Sequence, residues 1–410
     1  MKKKSKLTFL FLLGINGLLF GNNISQDSLK TNTNDLDKLI VKVRNTPNIE
    51  FGKGISFLSQ NEKYKLTFRI RMQNMLGFSF NDDFHLKKTD AQVKRLRFRF
   101  DGYIYSPKLT YSIQLGFSSH NSKSNPIRDA IIYYAPSPTW NIGFGQTKIK
   151  VNRAKTTSSG ALQFADRSIV NSEFSLDRDF GFFGEFNKHL FKKIGMAIKA
   201  SITTGEGYNW TSSHNSGFAY TGRIELFPLG SFNAAGDVSE GDLAREQAPK
   251  ILIAGAYCFN DKASRLKGAS GETIANGQTK NMSSYFIDFI LKYKGFAFYT
   301  DIMNRFCHKP ILNNPEEQYI YTGTGINVQT SYLFHSKWEI ALRNSALLPD
   351  KEIQPLTGYK YHNQSTLGIT RYIIGHNLKV QADASYNYKK GTSRSSYNPW
   401  EIRFQVELGF

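Results

Sequence analysis

Two neighbouring stretches of the chain carry basic residues of one parity: Lys65, Arg69 and Arg71, then Arg95, Arg97 and Arg99. A guanidinium is a planar fork of donors that stays charged at any physiological pH and can hold two oxygens of a carboxylate or phosphate at once. A row of them is suited to meeting anions. At helical spacing these side chains would scatter around a cylinder, whereas a strand stands them all on one face. The positions between are apolar: Leu66, Phe68, Ile70 and Met72, then Leu96, Phe98 and Phe100. The same parity recruits Lys199, Arg223, Lys292, Arg343, Lys379 and Arg403 from later strand-like stretches. Acids of that parity, Asp101, Glu225, Asp288, Glu339, Asp383 and Glu401, support a second reading in which the cations pair and simply hold a wall.

Other chemistry is thinly represented. His120-Asn121-Ser122 and His214-Asn215-Ser216 place a base two residues from a hydroxyl, but in polar loop-like sequence. There is no Gly-x-Ser-x-Gly elbow, His-Glu-x-x-His pair or phosphate-binding Gly-rich loop. Two cysteines, Cys258 and Cys307, exclude a disulfide scaffold and a Cys-based zinc cluster, and whether they pair is open. No metal or cofactor is expected, and no enzyme. The formal net charge of +20 invites a nucleic-acid reading, but basic residues gathered on one strand face below an export signal argue against it.

The elements that must position these residues are strands. The 410 residues include 32 Phe, 21 Tyr and 33 Gly, a composition of many strands and turns. Mean hydropathy is −0.41, and no run approaches the ~18 apolar residues of a membrane helix. Alternation persists to the last residue. Leu109, Tyr111, Ile113, Leu115 and Phe117 oppose Ser112 and Gln114; Leu378, Val380, Ala382 and Ala384 oppose Lys379, Gln381 and Asp383; Ile402, Phe404, Val406 and Leu408 oppose Arg403, Gln405 and Glu407. About sixteen such segments, most of the ~9–11 residues that cross a bilayer when tilted, predict a transmembrane antiparallel β-barrel. Facing the basic parity to lipid would cost ~2–4 kcal/mol per midplane charge, so it is assigned to the lumen.

Connections support this. Short ones (Tyr105–Lys108, Ala135–Thr139, Lys292–Gly295, Phe334–Lys337, Ile374–Asn377) alternate with long ones, among them Asn81–Gln92, Thr147–Asp179 and Asn260–Met282. Long connections are expected outside the cell and short ones in the periplasm. Pro228–Lys250 breaks the rule, being long yet periplasmic. At the N-terminus, four lysines precede the largely apolar Leu7–Phe20, the pattern of a secretory leader. The expected organisation is a leader over 1–21, a periplasmic spacer over 22–62 and the barrel over 63–410.

Several ordered pieces carry a family resemblance: Ile127-Arg128-Asp129-Ala130, Gly145-Gln146-Thr147-Lys148, Asp166-Arg167-Ser168, Asp177-Arg178-Asp179-Phe180-Gly181, Gly205-Glu206-Gly207, and Gly222-Arg223-Ile224-Glu225-Leu226-Phe227-Pro228-Leu229-Gly230. Together they resemble the phosphate-selective porin O and P family. After Gly145-Gln146 that family usually places a Pro-Phe-Gly turn, where this chain has Ile149-Lys150-Val151-Asn152. The resemblance implies a trimeric porin in the Gram-negative outer membrane, with small anionic solutes and outer-membrane lipid as partners. It also implies a third extracellular loop folded into the lumen, which makes Lys148, Lys150, Arg153, Arg167 and Arg178 candidates for a constriction. The terminal Phe410 resembles the aromatic residue read by outer-membrane barrel assembly. The expectation is passive diffusion with a preference for anions, generic first and phosphate or polyphosphate second. The alternative of a different class is a secreted or surface β-rich binding protein without a channel.

Overall fold

The computed structural model describes residues 47–119, 125–189, 194–212, 217–314, 316–391 and 397–410. The leader, the first part of the spacer and both His-x-Ser stretches lie outside them. Two short strands come first, β1 (Asn48–Glu50) and β2 (Gly54–Leu58), and form a hairpin. Sixteen longer strands follow: β3 (Tyr64–Phe80), β4 (Leu86–Ile104), β5 (Ser106–Phe117), β6 (Ile127–Ser137), β7 (Trp140–Lys148), β8 (Arg178–His189), β9 (Gly195–Thr203) and β10 (Ala219–Phe227), then β11 (Lys250–Ala263), β12 (Lys280–Tyr293), β13 (Phe296–Cys307), β14 (Gly323–Leu333), β15 (Trp338–Pro349), β16 (Tyr361–Ile374), β17 (Leu378–Lys390) and β18 (Trp400–Gly409). Each pairs antiparallel with the next, and β18 pairs with β3 from Trp400↔Phe80 to Gly409↔Arg71, which closes the barrel. Beyond the end of β18, β2 takes over the same edge of β3, with Ile55 opposite Phe68.

Closure satisfies every interstrand ladder within the protein, the condition for crossing a bilayer with strands. The side-chain distribution is the reverse of a water-soluble protein. Ile132, Phe182, Ile224, Ile287, Leu342 and Leu367 are exposed on the outside, while Glu339, Ser345, Lys379, Ser385 and Glu407 are fully buried within. Aromatic rings collect at both rims: Tyr332, Phe334 and Trp338 at one, Phe80, Phe84, Tyr386 and Trp400 at the other. Such rings sit well at the boundary between hydrocarbon and headgroups.

Turns follow the local sequence. Lys294 (φ 48°) and Gly295 (φ 94°) both adopt positive φ between β12 and β13, the two-residue hairpin geometry that matches strand twist. The first expected long loop is corrected by the structure. Asn81–Gln92 is only a tight turn over 81–85, because β4 begins at Leu86 and pairs with β3 out to Phe80. Val93 and Thr89 continue the alternation, so the hairpin simply extends past the barrel rim.

Residues 149–177, between β7 and β8, pack against inward-facing side chains of β10 to β17. Two short helices organise the segment, α1 (Arg153–Thr156) and α2 (Ile169–Phe174). Ser168 caps α2, its hydroxyl accepting from the Asn171 amide at 3.1 Å. Ile149, Val151, Val170, Phe174 and Leu176 form a core with Leu252, Phe286, Ile290 and Met303 of β11 to β13. The connection 228–249 rises from the other end to meet this segment, the Glu240 amide donating to the Ala161 carbonyl at 2.9 Å.

Candidate functional site: a basic cavity along one wall

The filling is one-sided. What stays open is a cavity of about 920 Å³ along β3 to β8. Twelve cations line it: Arg69 and Arg71 from β3; Lys94, Arg95, Arg97 and Arg99 from β4; Arg128, Lys148 and Arg178 from β6, β7 and β8; and Lys150, Lys155 and Arg167 from the segment that follows β7. Only three acids line it among the described residues, Asp129, Asp177 and Glu407. The imbalance concentrates positive potential in a confined space with low-dielectric walls.

The ladder comes from direct register: Arg69 lies opposite Arg99 and Arg71 opposite Arg97 on β3 and β4. Cross-strand like charges are unfavourable, so the arrangement needs acids, water or ions around it. Asp101 serves two of these arginines, bonding Arg69 and, at 2.7 Å, Arg99 Nε. Arg71 donates to the hydroxyls of Ser158 (2.6 Å) and Ser159 (2.9 Å). Arg95 donates to Gln73 at 2.9 Å and stands 3.6 Å from Asp166. Arg97 differs. Its Nη1 is buried without a hydrogen-bond partner among the described residues, and it has no carboxylate partner there. Arg128 lies over the Tyr208 ring at 4.9 Å, with its Nε likewise unpartnered.

Lys94 has no place in the alternation, yet it lines the cavity and binds Asp166 at 2.5 Å. The cause is a bulge: Gln73 pairs with Arg95 and Asn74 with Val93, which leaves Lys94 as the extra residue. Strict period-two counting misses such a residue. Arg128 and Lys155 were visible only as members of a family motif and of a long loop.

The remaining expected pore residues are divided. Lys150 binds Glu185, and Arg178 forks onto both Asp129 oxygens at 3.1 Å. Lys148 donates to the Lys155 carbonyl (2.7 Å) and Arg167 to the Ala154 carbonyl (2.7 Å). Arg153, Lys199 and Arg223 converge on Glu225 at 2.6–2.7 Å, and Arg223 also reaches Asp288 at 2.6 Å. Arg343 stacks on Phe164 at 4.4 Å, and Lys379 donates to the Leu162 carbonyl at 2.6 Å. Of these last five, Arg153 belongs to 149–177 itself; the other four face inward, as parity requires, but that segment covers them, and none of the five lines the open cavity. Lys65 lies outside it too, exposed near the start of β3. Cys258 and Cys307 are buried and free.

Within the segment, burial raises the Asp166 and Asp177 carboxyls, but the cations beside them win. Lys94 and Arg95 hold Asp166, and Lys155 and Arg178 hold Asp177, below the ordinary carboxylate range. Burial, reinforced by Arg95, brings the Arg167 guanidinium down to about 10.

Part of the chain matches a family model. Residues 65–238 match the phosphate-selective porin O and P family. The match spans the arginine ladder, the 149–177 segment and the first half of the rising connection. Solved structures agree on the fold. OmpF of Salmonella typhi, in complex with daunomycin, aligns with TM-score 0.55 at 12% identity over 86% of this chain and 99% of that one. An anion-selective porin from Comamonas acidovorans aligns at 0.53 and 9% identity over 85% and 100%. The trimer form of OmpT from Vibrio cholerae aligns at 0.50 and 12% identity over 85% and 99%. No curated protein matches the chain. The partial family match and the barrel fold together point to the Gram-negative outer membrane, with the membrane band supplied by the apolar outer face.

Proposed function

We propose that this porin passes small solutes by passive diffusion and favours anions. The observation that carries the reading is the cavity wall, twelve cations against three acids among the described residues, with Arg97 Nη1 left without a hydrogen-bond partner there. A confined cationic wall raises local anion concentration and repels cations, and little salt enters to screen it. Segment 149–177 narrows the path by occupying the β10 to β17 side, so a solute must travel beside the ladder. On this reading the chain is exported by a leader over 1–21, and the barrel assembles as a trimer. Catalysis has no part in it.

Liposome swelling with purified, reconstituted protein tests the proposal. Among solutes of matched size, anions are expected to enter faster than uncharged ones, and cations slowest. Equal rates for anion and cation would remove the proposed preference.

A further inference from the structure

The cavity has a second side that the arginines do not explain. It is also bounded by Ala234, Ala235, Val238 and Ser239 of the connection 228–249, a long connection at the short-turn end. Ala234 and Ala235 are exposed, and Val238 keeps 39% of its surface open, inside a lumen whose other inward residues are largely buried or polar. Both alanines hold left-handed backbone, φ 46° and 55°, a conformation that disfavours any residue with a Cβ.

Such strain persists only where surroundings impose it. Here they do. Arg153 holds the Asp237 carbonyl at 2.9 Å, and Lys292 holds those of Gly236 (2.7 Å) and Ser239 (2.9 Å). The Gln163 amide donates to the Glu240 carboxylate at 2.8 Å. At the base Asp242 accepts from the Gly295 amide at 2.7 Å, and Arg245 donates to the Leu333 carbonyl. The turn is braced from both ends and is no swinging gate. It presents methyl groups to the solute path at a fixed place.

We propose that this apolar lip, in the same cavity as the guanidinium wall, selects organic anions: monocarboxylates with a compact apolar body, in preference to small hydrated anions. The inference rests on the anion preference proposed above. A hydrated chloride or phosphate gains nothing from methyl groups. A carboxylate joined to a hydrocarbon body can set its oxygens against Arg97 and Arg99 while its apolar part displaces water from Ala234, Ala235 and Val238.

Bi-ionic potentials across planar bilayers, with full-length protein and potassium salts of benzoate, acetate, phosphate and chloride, provide the test. Benzoate is expected to be more permeant than acetate despite its size. Val238→Ser and Ala235→Asn, the latter chosen because Asn tolerates left-handed backbone, should each lower the benzoate-to-acetate ratio by about threefold. The acetate-to-chloride ratio should stay as it was. Val238→Ser lies outside the strained pair, so it carries the test even if the Asn variant does not insert. Benzoate at or below acetate in the unsubstituted channel, or an unaltered ratio in Val238→Ser, would overturn the lip. A potassium chloride gradient in the same membranes separates the two ideas. Cation preference there removes the anion reading itself, whereas anion preference with weak benzoate passage removes only the lip.

Discussion

Arg97 and Arg99 stand two residues apart on one strand face, yet their surroundings differ. Arg99 shares Asp101 with Arg69, whereas Arg97 keeps a buried nitrogen without a partner among the described residues. Arg97→Glu is therefore expected to move the zero-current potential towards cations more than Arg99→Glu, whose charge is partly compensated already. Equal shifts from the two would show that pairing with Asp101 does not matter to a passing ion. Lys379 belongs to the other class of cation. It is fully buried, 3.5 Å from Glu407 and hydrogen-bonded to Leu162. Truncation in Lys379→Ala leaves a buried carboxylate short of a partner and should cost about 3 kcal/mol. The loss should appear as unfolding at lower temperature or denaturant, with ion selectivity little changed.

At the scale of elements, the barrel hydrogen bonds do not depend on 149–177, since every ladder runs between adjacent strands. Deleting 158–172 should leave insertion intact and raise single-channel conductance about twofold or more, as expected when a filled lumen is cleared. Unchanged conductance would mean that ions do not pass this segment. The pH response follows from the two loop carboxyls. A carboxyl whose folded pKa is depressed lends stability that is complete above its unfolded value, near 3.9, and is lost as pH falls through the lower folded value. Asp166 and Asp177 are of this kind. Conductance should thus hold steady from pH 8 to 5 and drift only below about 3.9. A step between pH 5 and 7 in conductance–pH recordings would contradict this anchoring.

For the whole molecule, the barrel was legible in the sequence because lipid outside and water inside impose a period of two on nearly every strand. Arg69, Arg71, Arg97 and Arg99 share that parity and line the open cavity. Parity alone could not separate the open wall from the filled one. Lys199, Arg223, Arg343 and Lys379 share the inward face with the ladder, and their covering segment is distant in sequence. One signal was available. Ile251-Leu252-Ile253-Ala254 and Tyr285-Phe286-Ile287 are apolar on both parities, as strands buried on both faces are. Their inward members Leu252, Ala254 and Phe286 form the dry core under 149–177. The central claim is that the open half of the lumen carries uncompensated positive charge. The zero-current potential of the unsubstituted protein across a potassium chloride gradient tests it most directly. A sign showing chloride to be the more permeant ion, weakening as salt rises, is the expected result. A potential of zero, or one of potassium preference, would contradict the account.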